Sequence, residues 1–246
     1  MFKSKIKSIF RPLYYLFNNG SRVNIQGYNH LKGFKWIVDK NYGMAYFKGY
    51  YEPEICRLFL KYLSEESIVI DVGAHAGYLS LFSAGITKNG HVYSFEPEPK
   101  NFSFIENIRN LNNVSNWTPI NKAVGNEIGQ LFFAPGNTSS TGRISTKGKL
   151  AVAVTALDIE LKGLKRLDLI KIDVEGFGGR VIEGGINLIT KLKPILMVEI
   201  HGGSDELQTT LTLLEKLYDF IDIENNELII SVNQNPHFIV GIPKKD

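Results

Sequence analysis

An acid and two glycines that follow a short apolar run have the residue types and spacing of a binding turn. Residues 68–70 are Ile-Val-Ile, Asp71 comes directly after them, and Gly73 and Gly77 follow among small residues. Because glycine has no Cβ atom, such a stretch can turn tightly from a strand into a helix. Free N–H groups at the start of that helix suit a carboxylate, and Asp71 suits an ammonium group. The spacing predicts a turn that binds a small charged ligand, or a strand–helix turn without a ligand.

A second carboxylate ends the next apolar run. Glu96 follows residues 91–95, and Phe95 and Pro97 on either side restrict its backbone. In doubly wound sheets an acid after the second strand accepts hydrogen bonds from ribose hydroxyls; a solvated surface glutamate is the alternative. Ala123, near the end of a third apolar run, is expected to lie beside the base of a bound nucleotide. His75 in the turn is either a ligand contact or a spacer. The predicted ligand-binding residues are Asp71, Gly73, His75, Gly77, Glu96, Pro97 and Ala123.

Three further polar residues follow later apolar runs. Asp173 and Glu175 come after residues 167–172, and His201 comes after residues 195–200. The carboxyl ends of neighbouring parallel strands meet at one edge of a sheet, so these side chains are expected together. Histidine is the side chain best suited to proton transfer near neutral pH. The predicted catalytic residues are His201 as general base and Asp173 and Glu175 beside it; local hydrogen bonding to the backbone is the alternative role.

Part of this group also has the ligand types of a metal site. Asp173, Glu199 and His201 offer oxygen and nitrogen ligands for a divalent cation. Glu199 and His201 are separated by one residue, so on a strand they face the same side. This spacing permits a metal site without requiring one, and the predicted site includes no metal ligand.

The elements that must position these residues alternate between strand and helix from residue 67 onward. Strands are predicted at residues 68–72, 91–95, 117–124, 167–172 and 195–200. Helices are predicted near residues 76–86, at residues 99–112, as a single helix through residues 181–192, and from residue 205 onward. Three strands without helices between them, near 220–224, 227–232 and 237–242, close the chain. The pattern predicts an α/β fold with a doubly wound, mostly parallel sheet and a terminal antiparallel hairpin.

Residues 1–66 are predicted to form a cap and residues 67–246 the main domain. The cap is rich in aromatics that are expected to form core, with short strands around residues 34–38 and 44–47 and a helix over 54–63. Residues 1–17 have helical apolar spacing and several lysines, so they pack on the domain or rest on an anionic membrane surface. The polar stretch 135–149 is predicted to be a loop, either a lid over a polyhydroxylated acceptor or surface chain.

Bulk composition limits the classes of partner. The net charge is +3, which is too small to predict nucleic acid as a partner. The single cysteine, Cys56, cannot form an internal disulfide, so a reducing cytoplasm is the expected location. No apolar run reaches the roughly 18 residues that a membrane-spanning helix needs. The oligomeric state is not indicated by any of these features.

Six blocks, taken together and in order, resemble the FkbM-type methyltransferase family. They are residues 69–77, 94–99, 121–125, 154–158, 168–176 and 197–201, of which Lys-Ile-Asp-Val-Glu-Gly is the most distinctive. The resemblance covers about residues 67–202. It implies a Rossmann-like class I methyltransferase fold, S-adenosylmethionine as cofactor, and O-methylation of a saccharide, glycan or glycosylated metabolite.

One departure from the family concerns residues 177–179. The family often has an acid soon after the glycine of the distinctive block, where this chain has Phe177-Gly178-Gly179. Two alternatives to a methyltransferase remain at this point. One is an oxidoreductase that uses NAD or a nucleotide sugar, against which stands the missing G-x-G-x-x-G motif. The other is a nucleotide-binding protein that has lost catalysis.

Overall fold

The computed structural model describes residues 14–134, 143–144, 150–201, 204–229, 231–234 and 236–245. Its strands are β1 (Arg22–Asn24), β2 (Lys35–Ile37), β3 (Ile68–Val72), β4 (His91–Phe95), β5 (Trp117–Ile120), β6 (Ala123–Val124), β7 (Gly129–Ala134), β8 (Arg143–Ile144), β9 (Leu150–Thr155), β10 (Leu169–Ile172), β11 (Ile195–Glu199), β12 (Tyr218–Asp222), β13 (Glu227–Leu228) and β14 (Phe238–Pro243). Its α-helices are α1 (Ala45–Lys48), α2 (Pro53–Tyr62), α3 (Tyr78–Ile86), α4 (Pro99–Leu111), α5 (Leu157–Glu160), α6 (Gly178–Gly184), α7 (Ile186–Leu192) and α8 (Ser204–Leu214). Residues 14–18 are also helical, and short 3₁₀ turns lie at Asn29–Leu31 and Val232–Gln234.

The main sheet has eight strands in the order β13-β12-β14-β11-β10-β3-β4-β5. Neighbours from β11 to β5 are parallel, whereas β14, β12 and β13 pair antiparallel. The chain runs outward from β3 to β5 and then returns to β10 on the other side of β3. Strand order therefore reverses between β3 and β10, and ligands of such sheets bind outside the carboxyl ends of the strands at this point.

Helices cover both faces of this sheet. Along β3 the side chains alternate: Val69 belongs to a core shared with the cap, α3 and α4, whereas Ile70 belongs to a core shared with α6, α7 and α8. Apolar residues on both faces are typical of a strand that is buried on both sides. The predicted doubly wound α/β fold with a mostly parallel sheet is confirmed.

The predicted strand over 117–124 is wrong as a single element. Its first part is β5 of the main sheet, and its last two residues form β6, which pairs with β9 in a separate sheet of order β6-β9-β7-β8. The Nδ2 atom of Asn121, which lies between the two strands, is 2.8 Å from the carbonyl oxygen of Glu96 and 3.2 Å from that of Pro97. These hydrogen bonds hold the chain at the edge of the main sheet while it changes sheets.

The predicted single helix through 181–192 is also wrong, because it is broken at Gly185 into α6 and α7. A Cβ atom on Gly184 would lie 1.9 Å from the carbonyl oxygen of Gly125, so only glycine allows α6 this close to the end of β6. The tandem glycines weaken helix propagation, and the axis breaks there.

The cap is built on aromatic packing. Trp36 of β2 and Tyr46 of α1 are stacked with their ring centroids 5.2 Å apart, and both contact Tyr78 of α3 edge-on. The expectation that the cap aromatics form core is confirmed for Trp36, Tyr42, Tyr46 and Phe47, which are buried, whereas Tyr50 is exposed. The short strand predicted around residues 44–47 is wrong, since these residues lie in and beside α1, which ends at the left-handed Gly49.

The carboxyl-terminal strands are antiparallel, as predicted; β12 and β14 are displaced by one or two residues from the predicted bounds, and β13 is shorter than predicted. β12 and β13 form a hairpin, and β13 ends at Leu228 before the 3₁₀ turn Val232–Gln234. β14 is inserted between β12 and β11, which closes the sheet on the side of His201.

Two predictions fall mainly outside the described residues. They are the amphipathic segment 1–17, of which only 14–17 are described, and the loop 135–149, of which only 143–144 are described and pair with β7. Within the described ranges, no helix combines the length and the apolar character that crossing a membrane demands. The boundary between residues 66 and 67 stays a prediction, and the cap shares one core with the sheet.

Candidate functional site

The turn after β3 is held in an unusual backbone conformation. Gly73, His75 and Gly77 all have positive φ, at 81°, 51° and 78°. A Cβ atom on Gly73 would lie 1.8 Å from the carbonyl oxygen of Asp173, so glycine permits the ends of β3 and β10 to touch. For His75 this conformation is strained, and such strain concentrates at functional sites.

A buried lysine connects the ends of β3 and β10. The Nζ atom of Lys171 lies 3.3 Å from Oδ1 of Asp71 and 3.3 Å from Oδ2 of Asp173, and it donates a 2.9 Å hydrogen bond to the carbonyl oxygen of Gly73. Oδ2 of Asp71 accepts a 2.5 Å hydrogen bond from Ser80. Asp71 is fully buried, so its carboxylate serves protein partners on both sides.

The charges of this group are fixed by their mutual contacts. Burial alone would lower the pKa of Lys171, but the carboxylates of Asp71 and Asp173 outweigh burial and raise it. Burial alone would raise the pKa of Asp173, but Lys171 and the hydrogen bond from His201 hold it well below its usual range. At neutral pH the ends of these strands therefore carry an ammonium and a carboxylate.

The structure brings the three predicted catalytic residues together. Nε2 of His201 lies 3.0 Å from Oδ1 of Asp173 and 3.4 Å from Oε1 of Glu199. Nδ1 of His201 lies 3.9 Å from Oε2 of Glu175, and the same oxygen of Glu199 lies 3.2 Å from Nε2 of His237. Their juxtaposition at the carboxyl edge of the sheet is observed, and their catalytic roles stay predictions.

These contacts change the titration of the histidine. The hydrogen bond to Asp173 is the main cause that raises the pKa of His201 to about 9; burial opposes it, and the charges of Asp173, Glu199 and Glu175 add to it. In the ligand-free protein His201 therefore holds a proton at neutral pH, and it becomes a base only after losing that proton.

Glu96 lies at the end of β4, as predicted, and is already engaged by the backbone. Oε2 accepts a 2.8 Å hydrogen bond from the N–H of His75, Oε1 accepts a 2.9 Å bond from the N–H of Glu98, and Asn101 lies 3.4 Å from Oε1. The residue is 4% exposed, and burial raises the pKa of Glu96 to about 7 despite these hydrogen bonds. A ribose diol can reach its remaining lone pairs only if covering side chains turn away. Asn101, which is bonded to Tyr42 of the cap, is one of the neighbours.

The other predicted ligand-binding residues are placed less directly. The carbonyl oxygen of Pro97 accepts a hydrogen bond from Asn121, so Pro97 takes part in fixing the backbone beside Glu96. Ala123 is buried in β6 of the second sheet, where it packs with Val152 and Val154. Its contact with an adenine base stays a prediction.

A divalent cation has a set of possible ligands here. Asp173, Glu199 and His201 each offer one atom, and these atoms all lie within 4.8 Å of one another. Carboxylate oxygen and imidazole nitrogen suit Mg²⁺, Mn²⁺ or Zn²⁺. The spacing argument from the sequence is therefore matched by the geometry, and metal dependence stays an open alternative.

Sequence reasoning missed two supporting residues at this edge. Lys171 was hidden as a polar residue inside the apolar run of β10, where its position is itself a signal. Glu206, in the first turn of α8, is 4% exposed and accepts hydrogen bonds from the N–H groups of Gly178, at 2.6 Å, and His201, at 2.9 Å. Glu206 therefore fixes the backbone of His201 relative to the start of α6.

The cap also contributes to the crevice. A small cavity of about 10 Å³, with room for about one water molecule, lies at the carboxyl ends of β3 and β10, between the sheet edge and the cap. Its lining combines three cap residues with the turn after β3 and the end of β10: Tyr46, Tyr51, Glu52, Gly73, Ala74, His75, Ala76, Tyr78, Leu79, Lys171 and Asp173. The hydroxyl of Tyr46 lies 3.1 Å from Nδ1 of His75, so cap and turn are in direct contact.

The fold and this edge define a class. The sheet is doubly wound, with a strained turn after its first parallel strand, an acid after the next strand and further ionisable groups after two others. This arrangement is typical of α/β folds that bind a nucleotide at the carboxyl edge of the sheet.

The chain belongs to the FkbM methyltransferase family, since the family model "Methyltransferase FkbM domain" matches residues 71–228. It is 25% identical over 200 residues to the hexuronic acid methyltransferase AglP of Haloferax volcanii, covering 79% of this chain and 78% of that protein. It is 25% identical over 177 residues to methyltransferase 1 of Beauveria bassiana, covering 61% of this chain and 71% of that one.

A solved structure supports the fold. The methyltransferase FkbM from Methylobacillus flagellatus superimposes with a TM-score of 0.51 at 19% identity, over 73% of this chain and 44% of that chain. This chain thus spans less than half the length of that crystallised protein. The resemblance found in the sequence is confirmed: the protein is a methyltransferase and its cofactor is S-adenosylmethionine. The oxidoreductase alternative is set aside by the family match.

Proposed function

We propose that this protein transfers a methyl group to a hydroxyl oxygen of a saccharide, glycan or glycosylated metabolite. The observation that carries the proposal is the 3.0 Å contact of His201 with Asp173 at the carboxyl edge of the sheet. The similarity to a hexuronic acid methyltransferase supports a saccharide as the acceptor. An acceptor hydroxyl must lose a proton when its oxygen is methylated, and a positioned base accelerates this step.

His201 can act as that base through one defined nitrogen. In the neutral tautomer that donates Nε2–H to Asp173, the lone pair is on Nδ1. Nδ1 lies 3.9 Å from Glu175, too far for a hydrogen bond, so it is available to an acceptor hydroxyl. Asp173 then orients the ring and stabilises the imidazolium that forms when the proton arrives, as in other base–orienter pairs.

The residues at the edge fit the cofactor. When bound, the cofactor supplies an electrophilic methyl group on a cationic sulfur, which departs as a neutral thioether. The surplus of carboxylates near the turn suits its positive charges, and Glu96 suits its ribose hydroxyls. Asp71, which is buried against Lys171, orients that lysine and through it the turn.

The charge of the cofactor also helps His201 to become a base. A nearby cation disfavours a second cation, so a sulfonium bound close to His201 would lower the pKa of this histidine from about 9 toward neutrality. Glu175, whose side chain is 35% exposed, can accept a hydrogen bond from a neighbouring hydroxyl of a polyhydroxylated acceptor. The cytoplasmic location, which the single Cys56 supports, is part of this proposal.

Two measurements test the function. In thermal unfolding, S-adenosylhomocysteine at about 100 times its dissociation constant should stabilise the protein by roughly 2.7 kcal/mol, and NAD should not. Methyl transfer from labelled S-adenosylmethionine should then appear with sugars, uronic acids or glycolipid glycans in an acceptor panel. Transfer to an amine, a carbon atom or RNA, with none to any hydroxylated sugar, would contradict the proposal.

A further inference from the structure

The cap delivers one carboxylate into the cofactor crevice. Glu52 lies between α1 and α2, and with Tyr46 and Tyr51 it lines the same cavity as Lys171 and Asp173. Glu52 precedes the motifs that resemble the family, so the sequence alone predicts no role for it. Its position makes it the acidic side chain that the cap contributes to this cavity.

The backbone of Glu52 is held against its local preference. Its φ and ψ are 40° and 60°, which is the left-handed region, and the next residue is Pro53. A residue that precedes proline strongly favours extended conformations, and a residue with a Cβ atom is strained in the left-handed region. His75, across the cavity, is held in the same region at φ 51°. Two strained non-glycine residues therefore line one small cavity.

The charges around Glu52 are unbalanced. Lys171 is an ammonium shared by Asp71 and Asp173, at 3.3 Å from each, and Glu52 adds a third carboxylate to the same group. Burial raises the pKa of Glu52; Lys171 and a hydrogen bond from Tyr51 oppose this, and the charges of Asp173 and Asp71 add to it. A buried carboxylate that lies beside other carboxylates is costly without a further cation.

This surplus of negative charge lies where one part of the cofactor is expected to bind. The turn after β3 is where the amino-acid end of the cofactor is expected, and that end carries an α-ammonium group. Asp71 is fully buried, accepts a hydrogen bond from Ser80 and forms an ion pair with Lys171, so its oxygens are not exposed to a ligand. Glu52 lines the cavity itself. We propose that Glu52 binds the α-ammonium group of S-adenosylmethionine, and this proposal rests on the cofactor site proposed above.

Binding of two ligands to matched variants tests the assignment. S-Adenosylhomocysteine carries the α-ammonium group, whereas 5′-methylthioadenosine lacks the amino-acid end. In calorimetry, Glu52→Gln should weaken the binding of S-adenosylhomocysteine at least tenfold. It should leave the affinity for 5′-methylthioadenosine within twofold of that of the wild-type protein. Glu54→Gln is the matched control, because Glu54 is exposed in the first turn of α2, two residues from Glu52, and pairs with Arg57; it should change neither affinity.

Stability of the ligand-free protein separates a binding role from a structural one. Glu52→Gly relieves the left-handed strain and removes the surplus carboxylate, so its melting temperature should equal or exceed that of the wild-type protein. Its affinity for S-adenosylhomocysteine should nevertheless fall at least tenfold. If Glu52 binds the ligand, the affinity should fall while the melting temperature does not. If Glu52 only supports the fold, both the affinity and the melting temperature should fall.

Three results would overturn the assignment. Equal weakening of both ligands by Glu52→Gln, or unchanged S-adenosylhomocysteine binding, would remove Glu52 from the ammonium site. Unchanged cofactor affinity with a raised KM for the acceptor would make Glu52 an acceptor residue instead. If the wild-type protein bound neither ligand, the cofactor site itself would be wrong, which is a separate failure from loss of the Glu52 contact alone.

Discussion

Nε2 of His201 lies 3.0 Å from Oδ1 of Asp173, across the gap between the ends of two adjacent parallel strands. Asp173 in turn lies 3.3 Å from Lys171, so the histidine is the outer member of a charged chain that runs into the sheet. Glu206 holds the backbone N–H of His201 from the other side. The ring is thus positioned by groups that do not themselves need to meet the acceptor.

Replacement of His201 should reduce turnover without loss of cofactor binding. His201→Asn keeps a polar side chain but no base, and we expect kcat to fall by about 10²- to 10⁴-fold. The affinity for S-adenosylhomocysteine, measured by calorimetry, should stay within about threefold. His237→Asn is a matched control, since His237 also contacts Glu199 but is mostly exposed. A parallel loss of cofactor affinity in His201→Asn would exclude a purely catalytic role.

The pKa of His201 should depend on whether the sulfur of the bound ligand carries a positive charge. Its pKa is raised to about 9, so in the ligand-free protein the imidazole titrates well above the ordinary value. The sulfonium of S-adenosylmethionine should lower this pKa by about one unit or more, whereas S-adenosylhomocysteine, whose sulfur carries no charge, should lower it less. Histidine NMR titrations, assigned with His201→Asn, measure both values. Identical pKa values in the two complexes would place the sulfonium away from His201.

Cofactor affinity should depend on the ionisation of Glu96. Its pKa is raised to about 7 by burial, and the ionised carboxylate is the better acceptor for two ribose hydroxyls. Affinity for S-adenosylhomocysteine should therefore rise as the pH increases from 6 to 8. Glu96→Gln should bind about 10- to 100-fold more weakly and lose this pH dependence, since charged hydrogen bonds are worth about 1.5–3 kcal/mol. Glu98→Gln, two residues away, should keep the pH dependence of binding. A wild-type affinity that does not change between pH 6 and 8 would contradict the assignment.

Chelators should leave methyl transfer intact. The possible metal ligands Asp173 and His201 are already paired through a hydrogen bond, and Lys171 places a positive charge beside the same carboxylate. We therefore expect kcat to change less than about twofold after EDTA treatment and dialysis. Activity that is lost with EDTA and restored by Mg²⁺ or Mn²⁺ would show that Asp173, Glu199 and His201 form a metal site instead.

Local periodicity was sufficient to predict the main sheet. The runs that became β3, β4, β10 and β11 are short, apolar and bounded by polar residues, and their predicted bounds differ from the observed ones by at most two residues. Because parallel strands share one carboxyl edge, the meeting of Asp173 and His201 followed from these runs alone.

The errors arose where tertiary contacts override local preference. The strand over 117–124 divides because Asn121 binds the carbonyl oxygens of Glu96 and Pro97, which lie far away in sequence. The ion pairs of Lys171 join the ends of β3 and β10, and Glu52 reaches the same cavity from the cap. Side-chain periodicity carries no information about such contacts; the only signal in the sequence was a lysine inside the apolar run of β10.

A crystal structure with S-adenosylhomocysteine tests the central claim most directly. We expect the ligand across the carboxyl ends of β3 and β4, with its amino-acid end at the turn that contains Gly73 and its ribose hydroxyls on Glu96. A crystal grown at saturating ligand in which this crevice remains filled by protein side chains, or in which the ligand lies elsewhere, would contradict the account.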